Sequence, residues 1–112
     1  MTTLTRMRLS HRAMMLLALI NSRTEWEGDE RPGGVLKCYW VPQKDEQYVE
    51  NPLTGKPESV WVSGSGDAAS LKGLASKGLI KFIKRESMNP YSCATTEEGI
   101  RVIESLKEDG RS

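Results

Sequence analysis

The stretch Leu71-Lys-Gly-Leu-Ala-Ser-Lys-Gly-Leu-Ile-Lys-Phe-Ile-Lys-Arg85, followed after a short polar gap by Tyr91-Ser-Cys-Ala-Thr-Thr-Glu-Glu-Gly99, decides how this chain folds. Ala68, Leu71, Leu74 and Ala75 recur at helical spacing, which predicts a helix over about 67–77 with one apolar face. Gly78 stands where a left-handed C-terminal cap belongs, and Leu79 can pack back on Leu74 as in a Schellman motif. Leu79 to Arg85 then reads as a strand, 86–90 as a turn that Pro90 biases toward an extended exit, and Tyr91 to Ala94 as the returning strand. Thr95 and Glu98 have capping-box spacing for a last helix with Ile100, Ile103 and Leu106 facing inward, and residues 108–112 read as a frayed tail.

Upstream, Ser10 can cap a helix over 10–21, with Leu9 packing on Met14 as a hydrophobic staple. Its body, Ala13-Met-Met-Leu-Leu-Ala-Leu-Ile20, is apolar all round, so this helix should be central and buried on most sides. Residues 23–34 are charged and glycine-rich and read as loop; Val35 to Val41 reads as a strand stopped by Pro42. Residues 43–50 fit either a returning strand or a short helix, 51–57 a turn-rich loop, and Ser59 to Val62 a short strand.

Totals exclude several classes of function. A chain of 112 residues supports a single domain with one modest core. Its longest apolar run, Ala13 to Ile20, is too short to span a bilayer, so no membrane partner is expected. The amino-terminal stretch lacks a small-residue cleavage site, and Cys38 and Cys93 are far apart, so a cytoplasmic protein with reduced thiols is expected. A net charge of +1 gives no global pull toward nucleic acid, so any cationic surface has to be local. The charge is indeed segregated. Arg6, Arg8, Arg12 and Arg23 come without an acid, the segment 24–62 is acidic, and Lys72, Lys77, Lys81, Lys84 and Arg85 follow.

The order helix, glycine stop, strand, turn, strand, helix, with Lys77-Gly78-Leu79-Ile80 at the stop and Thr95-Thr-Glu-Glu-Gly99 opening the last helix, resembles the recognition helix and wing of winged-helix regulators of the MarR and PadR type. The resemblance covers about a quarter of the chain. It implies an α+β winged helix, a three-helix core with a C-terminal β-hairpin wing, here carrying an extra strand-rich insert at about 24–62. It further implies a small regulator that docks the 67–77 helix and a basic wing on double-stranded DNA. The DNA contacts would come from Ser70, Lys72, Gly73 and Lys77 on the helix, Lys81, Lys84 and Arg85 on the strand, and Asn89 in the turn. The outward helix face centres on Ala69, Gly73 and Ser76 and carries no Arg, Asn or Gln for base reading, so phosphate contacts should dominate. The other reading is a protein-interaction module, or a self-associating one, in which that small-residue face and the aromatic insert (Trp26, Tyr39, Trp40, Tyr48, Trp61) meet a protein partner. A glycine in mid-helix costs ~1 kcal/mol relative to alanine, so Gly73 suggests that something comes close, whether a groove or the insert.

Other chemistry is thin. Gly64-Ser-Gly66-Asp-Ala-Ala69 imitates a dinucleotide fingerprint, but the chain has no room for the parallel sheet that motif needs. His11, Cys38 and Cys93 lack zinc-site spacing, and no base can be assigned to Ser63 or Ser65. No metal, cofactor or catalytic residue is expected.

Overall fold

The computed structural model describes residues 9–28, 34–84 and 89–111. Helix α1, His11–Arg23, starts as the sequence expects: the Ser10 hydroxyl accepts the Ala13 N–H at 3.1 Å. Every residue from Met14 to Ile20 is buried, so α1 is the central post of the core, and Leu9 packs against the same cluster. It runs two residues beyond the expected stop. Thr24 closes it, its N–H and its hydroxyl both donating to the Ile20 carbonyl. The same hydroxyl accepts the Thr95 N–H at 3.1 Å, which pins the end of α1 to the distant hairpin.

The insert is two antiparallel hairpins. Strand β1, Glu25–Glu27, pairs with β2, Val35–Cys38, so part of the segment expected to be loop is strand. Three residues are too few for a visible alternation, and the partner lies beyond a glycine-rich gap. Strands β3, Asp45–Glu50, and β4, Pro57–Val62, form the second hairpin, which settles residues 43–50 as strand rather than helix. Val49, Val60 and Val62 point into the core, while Glu46, Tyr48, Trp61 and Ser59 lie on the outer face.

A short 3-10 turn, Gly64–Asp67, leads into helix α2, Ala68–Ser76, which buries Leu71 and Leu74. Gly78 takes φ +78°, the Leu79 N–H reaches the Leu74 carbonyl at 3.0 Å and the Gly78 N–H reaches Ala75 at 2.9 Å. This is the Schellman stop read from the sequence. Strands β5, Ile80–Phe82, and β6, Cys93–Thr95, pair antiparallel and are both shorter than expected. The expected turn at 86–90 falls mostly outside the described residues. Trp40 forms a bridge with Cys93, each N–H donating to the other's carbonyl at 2.9 Å, so the insert is joined to the outer edge of β6.

Helix α3, Glu97–Arg111, departs from expectation in two ways. Its cap is Thr96, whose hydroxyl accepts the Gly99 N–H at 3.1 Å and donates to the Gly78 carbonyl at 2.6 Å. Thr95 is held in β6 opposite Ile80, so the Thr95–Glu98 box does not form and Glu98 pairs with Arg101 instead. The helix also continues past residue 108. Gly110 lies against the 51–55 turn so closely that a Cβ there would stand 1.9 Å from the Leu53 carbonyl oxygen. Val102 and Ile103 are buried and Leu106 packs on the core, so the inward face is centred one position away from Ile100. Among the described residues, the result is an α+β arrangement of three helices and three small antiparallel sheets. Among the described residues no helix is long and apolar enough to cross a membrane.

Candidate nucleic-acid interface

The candidate residues fall on α2 and the chain that follows it, because the Schellman turn folds β5 back beside the helix end. Lys72, Lys77, Lys81 and Lys84 are all exposed. None has a carboxylate within ion-pairing distance among the described residues. Lys72 and Lys81 lean on aromatic rings instead: the Lys72 Nζ lies 5.9 Å from the Tyr91 ring centre and the Lys81 Nζ 5.0 Å from that of Trp26. A π face holds an ammonium without cancelling its charge, so these cations stay available to an anion. Tyr91 in turn meets Phe82 edge-on at 6.2 Å, which fixes the ring under Lys72.

Three arginines of the described residues are committed elsewhere, whereas Lys37, Lys44, Lys56 and Lys107 are exposed and, like the candidate lysines, carry no ion pair there. Arg12 pairs with Asp67 at 2.7 Å, and Arg101 is held between Glu97 and Glu98 at 2.6 and 2.9 Å. Arg23 donates to Gln47 at 3.1 Å. So Arg12, one of the four amino-terminal arginines, serves the joint between α1 and α2. Arg6, Arg8 and Arg85 lie outside the described residues.

The helix face between the lysines is open. Ala69 and Ser76 are exposed, Ser70 is half-buried, and a Cβ built on Gly73 would meet nothing within 4 Å. Among the described residues, therefore, the insert does not pack on Gly73. Asn89 has a different employment from the one expected. Its Oδ1 accepts the Tyr91 N–H at 2.8 Å and its Nδ2 donates to the Pro42 carbonyl at 3.3 Å, so its amide shapes the end of the turn.

Trp26 and Tyr91 lie against two of these lysines, and neither was among the DNA contacts expected from the sequence. Trp26 stood out as an insert aromatic, but its position over Lys81 depends on how the β1–β2 hairpin packs, which no local pattern encodes. A separate cleft of about 400 Å³ lies between α1, β3 and α3, lined by Ala18, Arg23, Tyr48, Pro52, Ile103 and Lys107, and shares no residue with the lysine face. Among the described residues no group of three His, Cys, Asp or Glu side chains could hold a metal ion. Burial pushes the Cys93 thiol up from 9.0 to about 12, which makes it unreactive at neutral pH.

No protein-family model, no curated protein and no solved structure matches this chain.

Proposed function

We propose that this chain is a small DNA-binding regulator of winged-helix type, laying α2 and the β5 side of the following hairpin on double-stranded DNA and holding it through phosphates. One observation carries the reading: Lys72, Lys77, Lys81 and Lys84, on α2 and the chain just after it, are all exposed and have no carboxylate partner among the described residues, while Arg12 and Arg101 are ion-paired within the fold. A charge left unpaired beside an open, small-residue helix face suits a polyanion. The helix lacks base-reading side chains, so affinity should be mainly electrostatic, with little dependence on base sequence.

The test is a salt titration against a nonspecific duplex. Four phosphate contacts give a slope of log K against log salt of roughly −3.5, with Kd at or below ~10 µM at low salt. No binding at low salt would sink the reading.

A specific observation also favours a protein-interaction role. Tyr48 and Trp61 are exposed on the insert, where a purely structural hairpin would present polar residues.

A further inference from the structure

Tyr48 and Trp61 are 62% and 54% exposed, although both are large aromatics on an ordered hairpin. The strand register puts them on one face: Tyr48 opposes Ser59, and Trp61 opposes Glu46. Alternation along β3 adds Glu50 to that face, so the aromatic pair is flanked by two exposed carboxylates. We propose that this face is a docking surface for a second copy of the chain, seated through that copy's lysine-bearing α2–β5 face.

Charge selects this occupant. Two copies meeting hairpin to hairpin would set Glu46 and Glu50 of each against those of the other, which repels. The lysine face is the complement present in the same molecule. Its ammonium groups have no carboxylate partner among the described residues, and ammonium groups bind over Trp and Tyr faces as Lys81 already does over Trp26. The open ground at Ala69, Gly73 and Ser76 leaves room for a ring between Lys72 and Lys77. Because the two surfaces differ, the contact is head to tail and adds copies in sequence rather than closing a two-fold dimer. The inference rests on the same lysine face as the DNA reading but does not need DNA to be its ligand; if both hold, DNA and self-association compete.

Sedimentation of the full chain from about 10 µM to about 1 mM at low salt tests this. The expected result is an average mass that rises with concentration and returns to that of a monomer at about 0.5 M salt. Tyr48→Ser/Trp61→Ser and Lys72→Glu/Lys77→Glu should each weaken association at least tenfold. All four side chains are exposed, so both variants should keep the parent's circular dichroism and melting temperature. Mixed in equal amounts, the two variants should form a heterodimer that grows no further, since one keeps only the lysine face and the other only the aromatic face. A parent monomeric throughout overturns the proposal, as does association that either variant leaves unchanged or a mixture that fails to pair. DNA binding separates the two readings. The aromatic variant keeps the lysine face and loses the competing self-contact, so it should bind duplex at least as tightly as the parent, and loss of association without any DNA binding by the parent would retire the DNA reading alone.

Discussion

The guanidinium of Arg12 sits 2.7 Å from a carboxylate oxygen of Asp67, and the other oxygen of that carboxylate accepts the Ser63 N–H at 2.9 Å. Asp67 is buried at the residue before α2, so this contact fixes where α2 begins relative to α1. Arg12→Ala leaves a buried carboxylate with one backbone donor. Arg12 is itself more than a third exposed, and solvent screening tempers the loss to about 1–3 kcal/mol. Urea unfolding should show this as a lower midpoint. A double-mutant cycle with Asp67→Asn should show coupling, and additive effects would mean that the pair is not energetically linked.

The glycines give predictions of opposite sign. Gly73→Ala has free space and should stabilise the chain by up to about 1 kcal/mol, read as a rise in melting temperature. Gly99→Ala places a methyl 2.2 Å from the Leu79 carbonyl oxygen, and Gly110→Ala one 1.9 Å from that of Leu53. Both should destabilise, Gly99→Ala by roughly 2 kcal/mol or more because its neighbours are the Leu79 backbone and the buried Thr95 hydroxyl, neither free to move aside. The Gly110 change should act locally, raising hydrogen exchange in the last turn of α3.

The two thiols should differ sharply. Cys38 is exposed and Cys93 fully buried, so alkylation of the native chain should modify Cys38 alone, with Cys93 following only in denaturant. The folded Cys93 pKa of about 12 lies above the unfolded value of 9.0. Its contribution to stability is therefore whole below pH ~9 and is lost as pH rises toward 12, by up to about 1.4 kcal/mol per unit. Cys93→Ala should flatten the alkaline loss relative to the parent when unfolding is followed across that window.

For DNA binding, single changes should grade by location. Lys72→Ala, Lys77→Ala and Lys84→Ala should each reduce the magnitude of the salt slope by about 0.9. Arg101→Ala should leave it unchanged, because that guanidinium is already occupied by Glu97 and Glu98. Equal effects at all four positions would point to diffuse attraction rather than a defined face.

What the sequence carried, it carried where local chemistry suffices. The apolar run of α1 leaves no polar face, and Gly78 is followed by a leucine positioned to pack back, so a buried helix and a Schellman stop could be read directly. Thr95 and Thr96 are chemically equal as caps, and only the pairing of Thr95 with Ile80 decides between them. The approach of Gly110 to Leu53 joins segments far apart in sequence and has no local trace. The lysines of the site were legible as residues. Their lack of acid partners among the described residues was not, since it depends on where Asp67, Glu97 and Glu98 find their partners.

The bridge between Trp40 and Cys93 sets a limit on how this chain could be shortened. Excising the insert would remove both hydrogen bonds along the outer edge of β6 and the Trp40 ring from the core. A three-residue strand paired only with β5, its outer edge open, would remain. The segment that interrupts the helices is thus a strut of the hairpin that follows them, and a minimal version of this domain would have to replace it rather than delete it.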